Sequence, residues 1–331
     1  MKRPRFVPDN FTLILIGLVV LASVLPVRGD AAYAADLLTN LAIALLFFLH
    51  GAKLPTRAVI AGLAHWRLHG LVFACTFLLF PAVGLALGPV LKPMIGPELY
   101  MGMLYLCALP ATVQSAIAFT SLARGNVAAA ICSAATSSLI GIFITPVLVL
   151  LMLGAAVQSM PLGEAIGNIT VQLLLPFLAG QICRRWIGAW VDKNRAWLKY
   201  VDQCSIYLVI YTAFSRAVVE GVWSQLPLWQ LFTLTAACCL LLALILAIVN
   251  ALAKRLGFNI EDRITILFAG SKKSLAAGVP MAQVLFSGAS IGVLLLPLML
   301  FHQIQLMVCA ALAKRYAQRP EIDSPAIAEA A

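Results

Sequence analysis

Charge is what this sequence has least of. Of its 331 residues, 11% are Asp, Glu, Lys or Arg, while 62% are hydrophobic and the mean hydropathy is +0.98. Soluble domains carry roughly a quarter charged residues, so a water-soluble fold is all but excluded. Acidic groups are scarcest, 13 against 23 Lys and Arg. Asp36, Asp202 and Glu220 fall at the ends of apolar runs, and Glu98, Glu164, Glu261 and Asp262 between them; none falls mid-run. Other absences narrow the chemistry. The eight cysteines show no C-x-x-C or Cys/His metal spacing and lie mostly inside apolar runs, so they read as buried thiols. There is no nucleophile–base pair and no glycine loop to cradle a phosphate, which leaves catalysis without positive support and implies no cofactor and no metal.

What the chain has in abundance is apolar runs of bilayer length. About 20 residues of helix cross roughly 30 Å of hydrocarbon, and ten runs qualify: 11–26, 36–52, 68–91, 99–122, 126–153, 166–186, 200–219, 228–253, 263–286 and 289–313. With a cytoplasmic N-terminus, 18 of the 23 Lys and Arg fall on the inner face, Arg28, Lys92 and Arg216 on the outer, and Lys272 and Lys273 inside a span. Short loops biased this way follow the positive-inside rule, so both termini are expected in the cytoplasm and the protein in the cell (inner) membrane. The net charge of +10 then reflects topology; the expected partners are the lipid bilayer and a small molecule, not nucleic acid. Residues 1–35 also fit a secretory leader, with a basic start, an apolar stretch and then Ala31, Ala32, Ala34 and Ala35. Removing them would leave nine spans and break the repeat below, so they are kept as the first span.

The halves echo each other at a shift of about 160 residues. Arg57-Ala58-Val59-Ile60-Ala61-Gly62 matches Arg216-Ala217-Val218-Val219-Glu220-Gly221, and the two spans interrupted by polar clusters are the fourth and the ninth. Five spans is an odd number, so the second half enters from the opposite face. The expected organisation is a cytoplasmic N-terminus (1–10), a five-helix repeat (11–153), a linker (154–165), an inverted five-helix repeat (166–313) and a cytoplasmic tail (314–331). Inverted repeats are typical of secondary transporters, whose binding sites lie at interrupted segments in corresponding positions.

Span 4 reads Leu109-Pro110-Ala111-Thr112-Val113-Gln114-Ser115, then Thr120-Ser121. Proline removes a backbone donor and breaks the preceding turn, leaving groups that the hydroxyls or a ligand can satisfy; a merely kinked helix is the alternative. Span 9 reads Gly270-Ser271-Lys272-Lys273-Ser274. Lys272 follows Arg263 by nine residues, about 14 Å into the membrane. Were both lysines in a cytoplasmic loop instead, residues 275–286 would be too short to span. Each lysine at mid-span costs roughly 2.5–3.5 kcal/mol on insertion scales, and no carboxylate is there to offset it. A bound anion, helped by the positive end of a half-helix, or loss of a proton would make the pair tolerable. Lys272, Lys273, Ser271, Ser274, Thr112, Gln114 and Ser115 are therefore the candidate site. Weaker candidates are Thr120 and Ser121, Ser133, Thr136, Ser137 and Ser138 in span 5, Asn40 in span 2, and His302, Gln303 and Gln305 in span 10, because such groups in membrane helices more often bond to backbone.

These same residues carry a resemblance. Pro110-Ala111-Thr112-Val113-Gln114-Ser115 running on through Thr120-Ser121-Leu122-Ala123-Arg124-Gly125-Asn126, with Gly270-Ser271-Lys272-Lys273-Ser274-Leu275-Ala276, resembles the bile acid:sodium symporter superfamily. It is closest to the branch of solute carrier family 10 member 7 and its bacterial relatives. The resemblance covers residues 10–316 and implies a panel of helices 1, 2, 6 and 7, with helices 3, 4, 5, 8, 9 and 10 as a core in which broken helices 4 and 9 cross. Sodium-coupled members carry a Glu, and a Gln four residues later, at the helix 9 break, a Ser-Asn pair in helix 4, and Ser and Thr in helix 5. Here those positions align with Phe268 and Lys272, with Gln114–Ser115 (or Ala116 and Ile117), and with Ala130 and Ala134. A sodium site that loses its carboxylate and gains an ammonium is not kept, so a proton or no ion is the expected coupling. The expectation is an all-α transporter of a small organic anion or amphipathic acid; a non-transporting regulator on this fold and a lipid-modifying enzyme are the alternatives.

Overall fold

The computed structural model describes residues 10–53, 65–154, 170–219, 221, 227–286 and 291–319, and these are helical with no strand among them. In chain order they form α1 (Asn10–Val24), α2 (Asp30–Lys53), α3 (Trp66–Ala74) and α4 (Phe80–Ala86), α5 (Gly88–Ile95), α6 (Pro97–Ala108) and α7 (Val113–Leu122), α8 (Val127–Leu153), α9 (Leu175–Lys193), α10 (Arg195–Val219), α11 (Leu228–Arg255), α12 (Ile260–Gly270) and α13 (Leu275–Leu285), and α14 (Ile291–Ala317). A wider π turn, Cys75–Leu79, joins α3 to α4, and another, Thr170–Leu174, leads into α9. Asn126, Asn259 and Ser274 cap α8, α12 and α13, their side-chain oxygens accepting from Ala129 N, Asp262 N and Ala277 N.

Among the described residues, five helical stretches are long and apolar enough to cross a bilayer: Asp30–Lys53, Trp66–Ala86, Val127–Leu153, Leu228–Arg255 and Ile291–Ala317. The pair α6 and α7, bent by 64°, makes a sixth by the same measure. The remaining sequence spans correspond to α1, α9, α10 and the pair α12–α13. Those segments are shorter or carry more charge: α1 has 15 residues, and α9 holds Arg184, Arg185, Asp192 and Lys193.

Two boundaries differ from the sequence reading. The third span stops at Ala86 rather than at residue 91, because Gly88 and Pro89 start the separate helix α5, closed by Gly96 at φ +83°. Residues 187–199, expected between two spans, are helical, with Asn194 alone between α9 and α10. Trp186, Trp190, Trp197 and Tyr200 are exposed beside them, and the Arg185 guanidinium lies 4.7 Å from the Trp186 ring centroid. Aromatic and basic side chains together suit the bilayer interface, which lets these helices run past the hydrocarbon. The Arg57–Gly62 half of the sequence echo lies outside the described residues.

α1 and α2 pack on α10, and α9 packs on α2. Two ion pairs join α2 to α10 near opposite ends: Asp36 with Arg216 at 2.7 Å and Lys53 with Asp202 at 2.5 Å. Between them the Thr39 hydroxyl meets that of Thr212 at 3.4 Å. The other helices bury Phe80, Tyr105, Phe268, Phe301 and, at 0% exposure, Lys272 and Lys273. Outward faces are apolar, as at Leu151 and Phe232.

Candidate functional site

The two breaks cross. α6 ends at Ala108, Leu109 is extended (ψ 154°), and Pro110 forbids an α conformation at Leu109, so α7 restarts only at Val113. α12 ends at Gly270 and α13 restarts at Leu275. At the crossing, Ser274 N donates to Pro110 O at 2.9 Å and the Tyr105 hydroxyl donates to Gly278 O at 2.5 Å. The backbone groups freed by the breaks find partners on α8 and α14. Thr145 Oγ1 donates to Ala108 O (2.9 Å) and Ala111 N donates to Ser137 Oγ (3.1 Å). Gln305 brackets Lys273, its Oε1 accepting from Lys273 N (3.0 Å) and its Nε2 donating to Lys273 O (2.9 Å). Gly141 lets α8 reach this close, since a Cβ there would lie 2.5 Å from Pro110 Cβ.

The lysines are deep, but what they face is backbone. Lys273 Nζ donates to three carbonyls, Thr76 O at 2.7 Å, Cys107 O at 2.8 Å and Leu109 O at 2.7 Å, and lies 4.2 Å from the Phe80 ring centroid. Lys272 Nζ donates to Ser115 O at 2.8 Å and lies 3.8 Å from the Phe119 ring centroid and 5.5 Å from that of Phe268. Among the described residues neither pairs with a carboxylate. The sequence reading offered a visiting anion or a lost proton; carbonyl dipoles and ring faces are a third way to offset a buried ammonium. Neither lysine lines the adjacent cavity.

That cavity, about 270 Å³, lies between the crossing on one side and α2 and α10 on the other. The first turns of α7 and α13 open onto it through Thr112, Val113, Gln114 and Ser115 and through Ser274 to Ala277. α8 adds Ser138 and Ile142, α14 adds His302 and Leu306, α2 adds Leu46, Phe47 and His50, and α10 adds Lys199, Asp202 and Gln203. No side chain caps the start of α7; the Thr112 hydroxyl turns to Ser115 Oγ at 3.2 Å. Thr112, Gln114, Ser115, Ser274 and His302 thus share one cavity. Ser271 lies behind it, bonded to Leu267 O, and Ser137 behind it on the Pro110 turn. Thr120 (buried) and Ser121 (exposed) fall at the far end of α7, and Thr136 and Gln303 do not line the cavity. His50, Lys199, Asp202 and Gln203 went unseen as site residues, because only the packing of α2 and α10 brings them to the breaks. Their signal was charge and amide at the ends of adjoining apolar runs.

Gln305 carries a prediction. Gln305→Leu keeps the volume but leaves Lys273 N and O without partners in a buried turn, at about 1–3 kcal/mol each. The thermal midpoint of the purified protein is expected to drop accordingly.

Comparison with known proteins agrees with this architecture. The model of the SBF-like CPA transporter family matches residues 9–318. An uncharacterized Pseudomonas aeruginosa protein is 63% identical over 330 residues, spanning 100% of this chain and 99% of its own length. The Escherichia coli protein YfeH, named as a candidate symporter, is 54% identical over 313 residues (95% and 94%). Sodium/bile acid cotransporter 7 of Mus musculus is 28% identical over 306 residues (91% and 89%). Long apolar helices, two broken helices that cross, and a match across nearly the whole chain lead to one conclusion: the protein is an integral membrane protein of the SBF-like CPA transporter family, a transporter of the bile acid:sodium symporter kind rather than an enzyme.

Proposed function

We propose that this protein is a secondary active transporter that moves a small organic anion or amphipathic acid across the inner membrane by alternating access, with both termini in the cytoplasm. The observation that carries the reading is the shared cavity at the starts of α7 and α13. A helix N-terminus presents unsatisfied N–H groups and roughly half a positive charge, and anions bind there without further device. Two such ends on one cavity favour an anion over a cation or a neutral solute. Leu46, Phe47, Ile142, Leu275, Met281 and Leu306 supply an apolar wall for the rest of the molecule. At 270 Å³ the cavity falls just below the ~300–1,000 Å³ typical of drug-sized ligands, which favours a compact acid over a steroid of bile-acid size.

Ten spans in two inverted repeats fit the arrangement. Binding then falls to Thr112, Gln114, Ser115 and Ser274 directly, with His302 beside them and Lys272 and Lys273 acting through the backbone they hold. Sodium coupling, which the names of the cotransporter relatives suggest, is disfavoured because the helix 9 positions hold Phe268 and Lys272; a proton or no ion takes its place. The test is uptake into proteoliposomes under an imposed sodium, proton or no gradient, with compounds chosen by thermal shift, since a ligand specific for the native state raises its midpoint. Small carboxylates are expected to stabilise the protein and to be taken up independently of sodium. Stabilisation by amines alone, or uptake abolished by removing sodium, overturns the reading. Anion binding without flux under any gradient favours the regulator instead.

A further inference from the structure

Each of the three carbonyls at Lys273 has lost its helical partner for a reason visible in the chain. In the π turn, Phe80 N donates to Cys75 O; by the same i to i+5 pattern the partner of Thr76 O would be the N–H of residue 81, which is Pro81 and has none. Cys107 O would bond Ala111 N in a continuing helix, but Ala111 N is turned to Ser137 Oγ. Leu109 O belongs to the extended residue past the end of α6. Three oxygens of the same sign, two of them at the negative end of a helix, converge within 2.7–2.8 Å of one point at 0% exposure. Such a cage is unfavourable unless it holds a cation. An ammonium has three protons to give and a neutral amine two, so the three acceptors match the charged form. The Phe80 face closes a fourth side, and the Gln305 bracket fixes the backbone from which the ammonium hangs.

We propose that these backbone oxygens form a monovalent-cation site which the chain fills permanently with its own Lys273 ammonium, and that removing the amine opens it to a free ammonium or alkali ion. The crossing would then carry its positive charge through every step without exchanging an ion at this point. The inference stands on stability in defined salts, so its failure and that of the anion reading are separable.

The test compares wild type, Lys273→Ala and Lys273→Met, each purified with ammonium present and then measured for thermal midpoint in choline, sodium, potassium or ammonium chloride at about 100 mM. Wild type is expected to show the same midpoint in all four salts. Lys273→Ala is expected to be lowered in choline and to regain roughly half of its loss in ammonium or in one alkali cation, saturably, as for a ligand that binds only the native state. Lys273→Met, whose chain refills the cage without a charge, is expected to stay low in every salt. An alanine variant that no cation restores, or that fails to fold even with ammonium present, overturns the proposal. So does a wild type that sodium or ammonium stabilises saturably over choline.

Discussion

Gly180→Leu is expected to yield little folded protein, and Gly51→Leu the same. α2 and α9 approach each other through these two residues. A Cβ on Gly180 would lie 1.9 Å from Phe48 O and 2.8 Å from Phe48 C; a Cβ on Gly51 would lie 2.1 Å from Phe177 O and 3.0 Å from Gln181 N. The obstruction in each case is backbone, which cannot swing aside like the end of a side chain. The helices must separate instead. Small residues at contacts of this kind drive helix association in membranes, where no hydrophobic effect distinguishes a neighbouring helix from lipid. Extra methylenes in a packed core cost about 1–3 kcal/mol when neighbours can shift, and a leucine against rigid backbone belongs at or above that range. The Arg184 guanidinium, which donates to Ala52 O, would be pulled away in the same movement. α2 also supplies Leu46, Phe47 and His50 to the cavity wall, so whatever protein survives should bind poorly. Thermal midpoint and yield are the readouts: a fall of roughly 10 °C or more is expected. Gly17→Leu and Gly70→Leu, where a Cβ meets nothing within 4 Å, should stay near wild type. Because Gly51 and Gly180 share one contact, the double variant should fall short of the sum of the singles.

None of that contact was legible in the sequence, where these are two of 22 glycines. The breaks themselves were. Pro110 breaks or kinks span 4, and two adjacent lysines between serines interrupt the apolar run of span 9, so the positions of the two breaks follow from local chemistry. What the lysines face did not follow. Asp and Glu are the letters that mark a counter-charge, whereas the groups that surround Lys273 are carbonyl oxygens, which every residue carries and no letter marks. The available signal was Pro81, a missing N–H inside an apolar run, whose meaning depends on α3 and α4 lying beside the crossing. The helical continuation through 187–199 is hidden for a related reason: charge marks the end of hydrocarbon, not the end of a helix. Among the polar candidates, spacing could not separate Gln305, which holds the break, from Gln303, two residues along the same helix.

Ser274→Asp is expected to abolish anion uptake while leaving the fold intact, and the two halves of that expectation have separate causes. Ser274 caps α13 by accepting from Ala277 N at 3.2 Å, a role aspartate fills as well or better. Because Ser274 also lines the cavity, the new carboxylate would stand where the proposed substrate places its own charge. Two unit charges about 4 Å apart repel by about 4 kcal/mol at an effective dielectric constant of 20, or about 10³-fold in affinity. The aspartate would also satisfy the helix end that the substrate is meant to satisfy. Ser274→Asn keeps the cap without the charge and should retain most of the uptake. The pair isolates charge from capping: thermal midpoints within a few degrees of wild type for both, and loss of anion-induced stabilisation for Asp alone. Uptake by the Asp variant at the wild-type rate would mean that the starts of α7 and α13 do not hold the anion. Equal loss in both variants would mean that the serine hydroxyl, not the helix end, is the recognition element. Only a carboxylate-specific loss is compatible with two half-helix ends acting as the positive pole of the site.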